Sequence, residues 1–110
     1  MARIHNFQFR NARRAATQVH YFLRLYTTGS TVRSARALRN LMKLCERRLK
    51  GRYDLEVVDV YQEPGRATEA QIIAAPTLIK EEPLPVRRLV GDLSDSDKVL
   101  RELGLSERSR

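Results

Sequence analysis

Residues 72–80 read "IIAAPTLIK", an apolar run in which Pro76 directly precedes "TLIK". Proline has no N–H to give a strand ladder, and it disfavours helix in the residue before it. The stretch therefore marks a boundary, with one element ending ahead of Pro76 and a buried strand starting at Thr77. Upstream, "RATEAQIIAA" (66–75) reads as a weak helix. Downstream, "TLIK" and "VRRLV" (86–90) are joined by the Pro-rich "EEPLP", which predicts an antiparallel hairpin with a longer loop.

Working outward, "HYFLRLYTT" (20–28) carries apolar residues on both sides of a strand, interrupted by Arg24, and is broken by "TGST". Ser30 or Thr31 then caps a helix in which Val32, Ala35, Leu38, Leu41, Met42, Cys45 and Leu49 recur at spacings of three and four. Its other face carries Arg33, Arg36, Arg39, Arg47, Arg48 and Lys50, and Gly51 follows the basic last turn. "YDLEVVDVYQ" (53–62) reads as a second strand ended by Pro64 and Gly65. A strand, a helical crossover and a strand imply parallel pairing. In "GDLSDSDKVLREL" (91–103), Ser94 as cap with Asp97 three residues on forms a capping box ahead of Val99, Leu100 and Leu103. The predicted order is βαβαββα, an α/β domain with a mixed sheet and helices on both faces.

The 110 residues suffice for one domain, and 42% hydrophobic with 31% charged residues is a globular composition. Residues 1–18 are read as a basic, mobile N-terminal extension outside the folded domain, with a short helical turn around "RNARRAA". Residues 19–105 are the domain and 106–110 a tail. No apolar run reaches the roughly 18 residues of a membrane span, and no signal-peptide core is present, so the expected address is the cytoplasm, without membrane contact. A single cysteine, Cys45, with only His5 and His20 as histidines, offers no disulfide and no metal cluster, so neither a metal nor another cofactor is expected. The net charge of +8 is uneven: residues 1–53 carry thirteen basic residues and one acid, Glu46, whereas residues 54–110 are acidic on balance. Such asymmetry admits nucleic-acid contact, but no aromatic residues interleave with the arginines, so nucleic acid is the disfavoured partner at this point.

The element order, with a proline directly before the third strand, resembles the thioredoxin fold, in which that proline is cis. A redox thioredoxin needs a Cys-x-x-Cys pair where this chain has "TGSTVRS" (28–34), and Cys45 lies further along on the apolar helix face. Dithiol redox chemistry is excluded. A closer likeness lies in "YFLRLYTTGSTVRSARALRNL", "GRYDLEVVDVYQEP" and "AAPTLIKEEPLPVRRLVGDLSDSDKVL". These stretches, in this order and without gaps from Tyr21 to Leu100, resemble the KaiB family of circadian clock proteins.

That resemblance implies a non-enzymatic protein that docks onto the ATPase ring of a KaiC-type protein and acts in clock, timing or stress signalling. It implies a KaiA-like protein or a histidine kinase as further partners, assembly as a homo-oligomer (dimer or tetramer), and an alternative KaiB resting fold. Basic positions of the family match Arg36, Lys80, Arg87 and Arg88, which are expected to meet an acidic partner surface. Pro76 matches the cis-proline. Pro83, Pro85, Gly91 and Asp92 are the other conformational positions. Glu56 and Gln71 stand where clock-type members usually carry lysine, so the partner face is expected to have lost or reversed part of its charge. Glu102 replaces a glycine, which favours the last helix by roughly 0.5–1 kcal/mol and biases the chain toward the thioredoxin-like form. The alternatives are a thioredoxin-like interaction module for a sensor histidine kinase and, third, a basic nucleic-acid-binding protein.

Overall fold

The computed structural model describes residues 2–6 and 19–105. Its elements are β1 (Ala2–Asn6), β2 (Tyr21–Thr27), α1 (Val32–Arg48), β3 (Tyr53–Asp59), α2 (Pro64–Glu69), β4 (Thr77–Glu82), β5 (Arg87–Val90) and α3 (Ser96–Leu103). Five strands form one mixed sheet in the order β1-β3-β2-β4-β5. As expected for a helical crossover, β2 and β3 pair in parallel, while β4 runs antiparallel to β2 and β5 antiparallel to β4. The thioredoxin-like architecture read from the sequence is the one observed.

The sheet alternation decides the layers. Tyr21, Leu23 and Leu25 of β2, Tyr53 and Leu55 of β3, Leu78 of β4 and Leu89 of β5 point to one face. There they meet Ala37, Leu41, Leu44 and Cys45 of α1 and Val99, Leu100 and Leu103 of α3. Each fully buried leucine in this layer contributes about 1.5–3 kcal/mol of transfer free energy. The opposite face carries a smaller cluster, Tyr26, Val58 and Ile79, against Val60, Ala70 and Ile72.

Local chemistry explains the helix ends. The Thr31 hydroxyl accepts the Ser34 N–H at 3.2 Å, which settles the cap of α1. α2 is shorter than the expected 66–75. It begins at Pro64, where the missing N–H costs nothing, and stops because Gln71 takes a left-handed conformation with φ +58°. For α3 the expected cap Ser94 is displaced by Asp95, whose carboxylate accepts the Lys98 N–H at 3.1 Å. The cause is Asp92. Its Oδ1 accepts the Ser94 N–H at 3.1 Å, and the resulting turn delays the helix by one residue. Gly104 closes α3 at φ +78°, a conformation that suits glycine, and the Leu105 N–H returns to the Leu100 carbonyl at 2.7 Å. Asp95→Ala is expected to cost about 1 kcal/mol in chemical denaturation, whereas Ser94→Ala changes stability by less than about 0.5 kcal/mol.

Residues 2–6 differ from the expected extension. Ala2–Asn6 pair antiparallel with β3, from Ala2 opposite Val57 to Asn6 opposite Tyr53. An unpaired sheet edge offers backbone donors and acceptors to any extended segment, whatever its side chains, so side-chain periodicity carries little signal for this strand. The rest of the extension, including "RNARRAA", and the tail 106–110 lie outside the described residues.

Candidate functional site

Strand direction brings four connections to one end of the sheet. β2 ends at Thr27, β3 ends at Asp59, β4 starts at Thr77 and β5 ends at Val90, and Tyr26, Thr77 and Val90 follow one another across the ladder. The turns 28–31, 60–63, 70–76 and 91–95 therefore lie together. Asp59 ties two of them, since its Oδ1 accepts the N–H groups of Gly29 at 3.2 Å and Tyr61 at 2.9 Å. Gly29 has φ +60°, a left-handed conformation that favours glycine, and it packs beside the Tyr61 ring, which a Cβ there would meet at an ordinary contact distance of 3.4 Å. Pro76 is buried, and its carbonyl accepts the Gly91 N–H at 2.9 Å. The Thr77 hydroxyl donates to the Ala74 carbonyl, and the Arg88 guanidinium donates to the carbonyls of Ala70 and Gln71. Arg36 pairs with Asp92 at 3.5 Å, and the Asn40 amide donates to the Asp92 carbonyl at 2.9 Å.

This hydrogen-bonded frame presents apolar side chains to solvent. Val32 is 69% exposed, Tyr61 72%, Val90 61% and Ile73 97%. Large apolar groups set among polar ones mark interaction surfaces more often than catalytic centres. The start of α1 carries no thiol. Cys45 is buried on the inner face of that helix, where burial foremost and the nearby Glu46 carboxylate next push its thiol up to about 12. Among the described residues no group of three or more His, Cys, Asp and Glu side chains could hold a metal ion, and no helix is long and apolar enough to cross a membrane.

The candidate residues divide between the two ends of the sheet. Arg36, Pro76, Arg88, Gly91 and Asp92 belong to the end just described. Pro83 and Pro85 lie in the β4–β5 loop at the other end, and the Ala75–Pro76, Glu82–Pro83 and Leu84–Pro85 peptide bonds are all cis. Arg87 and Arg88 are neighbours on β5 and so point to opposite faces: Arg87 pairs with Glu102 of α3 at 3.8 Å, whereas Arg88 reaches the turn after α2. Lys80 is 4% exposed, too buried to meet a partner directly. Burial foremost, with Arg87 beside it, lowers its ammonium, and Glu102 opposes the shift. The four basic residues therefore do not form one patch.

Sequence reasoning missed the ion network on the opposite sheet face. Glu56 was placed on an exposed partner face, yet its side chain is 7% exposed. Its carboxylate accepts two bonds from Arg66 of α2, at 2.8 and 2.9 Å, and one from Arg24 of β2 at 2.7 Å. Arg24 continues to Glu81 at 2.8 Å, and Arg66 to Glu63 at 3.4 Å. A register shift between Phe22 and Leu23 leaves Glu81 out of the regular β2–β4 pairing. The hydrogen bonds from Arg66, against the cost of burial and with help from Arg24, hold the Glu56 carboxyl at about 2. Parallel register places Glu56 directly opposite Arg24, and that pairing was the available signal.

Comparison with known proteins agrees with this geometry. The KaiB domain family matches residues 24–105, a span that includes all four connections of the open end. The circadian clock protein KaiB3 of Synechocystis sp. is 47% identical over 83 residues, covering 76% of this chain and 79% of that protein. The circadian clock oscillator protein KaiB of Synechococcus elongatus is 51% identical over 85 residues, covering 77% and 83%. Among solved structures, the N-terminal domain of Synechococcus elongatus SasA superposes with a TM-score of 0.65 at 19% identity, covering 81% of this chain and 88% of that one. Chloroplastic thioredoxin z gives 0.67 at 16% identity, covering 92% and 93%. The last two likenesses are to a fold alone, whereas identity near one half over three quarters of the sequence shows descent: the chain belongs to the KaiB family.

Proposed function

We propose that this chain is a docking protein without catalytic activity, which binds a KaiC-type ATPase ring and thereby modulates a clock, timing or stress response. The observation that supports it is family membership over the whole open end, 24–105, together with an exposed apolar surface there in place of redox thiols. Val32, Tyr61, Ile73 and Val90 supply apolar anchors. Arg33, Arg36 and Arg88 supply a basic rim that suits an acidic partner and fixes orientation more than affinity. Lys80 and Arg87 act from below, by supporting β5 and α3. A KaiA-like protein and a histidine kinase join as further partners, and the chain assembles as a homo-oligomer. The sensor-module alternative is the weaker one, because 19% identity to the SasA domain carries fold and nothing more.

Mixing the full chain with the KaiC-type ATPase of the same genome, with ATP present, tests this reading by biolayer interferometry. Ile73→Asp is expected to weaken binding at least tenfold, since a central apolar anchor is worth about 2 kcal/mol or more. The side chain is 97% exposed, so the circular dichroism spectrum should stay that of the parent. An unchanged affinity in Ile73→Asp, or no complex with the parent chain, would count against the proposal.

A further inference from the structure

The outer face of α1 is a strip of positive charge. Arg36, Arg39, Lys43, Arg47 and, just past the helix, Lys50 follow one another at spacings of three and four, which confines them to about a quarter of the helix circumference. Arg33 borders the strip at its start. From Arg36 to Lys50 the strip runs for about 21 Å at the helical rise. Among the described residues the counter-charges are few. Asp92 faces Arg36 at 3.5 Å, and Glu46 at the border accepts the Tyr53 hydroxyl at 2.8 Å. No ion pair among the described residues involves Arg39, Lys43, Arg47 or Lys50. Arg39 with Lys43, and Lys43 with Arg47, stand at the spacing where like charges repel along a helix. A strip that the fold itself does not neutralise is one that an external anion can.

Three kinds of polyanion differ in what else they require. A protein interface relies on buried apolar and aromatic anchors, but all of the strip's members are long cations and the exposed Val32 lies beyond its end. A membrane surface attracts cations too, but a helix lying on it gains most of its hold from an apolar face that enters the interface, and here Ala37, Leu41, Leu44 and Cys45 are turned to the core. A nucleic-acid backbone needs only regularly spaced cations, and about 21 Å spans roughly six base-pair steps of phosphates. With no exposed aromatic ring on the strip there is no platform for unstacked bases, and the one amide nearby, Asn40, already donates to the Asp92 carbonyl. We infer that the outer face of α1 is a sequence-independent docking surface for the phosphate backbone of duplex nucleic acid, which meets the open end of the sheet at Arg36 and runs away from it through Arg39, Lys43 and Arg47. In the sequence, arginines without interleaved aromatic residues left nucleic acid the disfavoured partner. The strip's lack of ion pairs among the described residues beyond Arg36, with the apolar face of α1 turned to the core, favours it for a duplex backbone.

Fluorescence anisotropy of the full chain with a labelled DNA duplex of about 20 base pairs, titrated between about 50 and 200 mM salt, tests the inference. For four or five contacted phosphates the logarithm of affinity should fall against that of salt with a slope of about −4. A duplex of shuffled sequence should bind within about twofold. Arg39→Glu with Lys43→Glu and Arg47→Glu, all exposed positions, should lose at least tenfold in affinity and flatten the slope by about three units while keeping the parent's circular dichroism. Equal reversal of Arg10, Arg13 and Arg14 should keep most of the binding. No duplex binding at the lowest salt would overturn the inference. So would binding that survives the α1 reversal and disappears with the N-terminal one.

Discussion

Glu56→Gln is expected to lower the stability of the fold by about 3 kcal/mol at neutral pH. Depression of the carboxyl from 4.5 to about 2 corresponds to roughly that free energy at 1.36 kcal/mol per pH unit, and the 7% exposure of the side chain leaves little solvent screening to discount. Glutamine keeps the shape but loses the charge, which leaves Arg24 and Arg66 around a neutral amide. Removing one partner of a buried pair costs about 3–5 kcal/mol in general. The lower end applies here because both arginine side chains are 31% exposed and each retains a second acid, Glu81 or Glu63. The pH dependence has a definite sign. A carboxyl whose folded value lies below its ordinary one contributes fully above about 4.5, and the contribution is lost as pH falls toward about 2. Urea denaturation across that window should show the parent losing more stability than Glu56→Gln, which keeps only the losses from the other acids such as Asp92, so that the two converge. A constant difference would mean that the carboxylate is not held by the arginines.

The network also has a mechanical meaning. Glu56 belongs to β3, within the strongly patterned β2–α1–β3 unit, while Arg66 belongs to α2, a six-residue helix with no buried residue of its own. A helix that short is not self-supporting, so its position on the sheet depends on tertiary ties such as this one.

Leu103→Ala is expected to cost about 3 kcal/mol, within the range for deleting most of a fully buried leucine. α3 has eight residues and holds to the sheet through Val99, Leu100 and Leu103, of which Leu103 is fully buried. The Leu103 carbonyl also accepts the Tyr21 hydroxyl at 2.8 Å, which joins the last helix to the first long strand. Because α3 packs beside β5 at the rim of the sheet, the loss should be uneven. Hydrogen exchange is expected to quicken most in α3 and β5 and least in β2 and β3. Even acceleration throughout the chain would show that α3 unfolds only with the whole domain.

Much of this architecture was legible from residues 20–60, where spacings of three and four and a Thr cap agree with strands on either side. The order of elements along the rest of the chain followed from Pro76 and the two short runs around "EEPLP", while the strand order of the sheet, with Ala2–Asn6 at its edge, belongs to the structure. What escaped the sequence reading was contextual. The cap of α3 moved from Ser94 to Asp95 because Asp92 uses its side chain on the intervening backbone, an interaction that residue type alone does not announce. α2 ended early because the approach to Pro76 requires a loop, although "EAQIIAA" has good helix formers. At the site, Arg36 and Asp92 were each singled out, but their pairing spans 56 positions and belongs to tertiary structure. Ile73 lies in an apolar run whose residue types do not tell which of its members face solvent. It is the most exposed large apolar residue described, since the loop carrying it turns Ile72 inward instead.

Hydrogen exchange of the full chain, alone and saturated with the ATPase ring of a KaiC-type partner, tests docking through the open end most directly. Slowed exchange is expected in the turns 28–31, 60–63, 70–76 and 91–95, with the β4–β5 loop around Pro83 and Pro85 unchanged. Protection confined to that loop, or none in the presence of the ring, would contradict it.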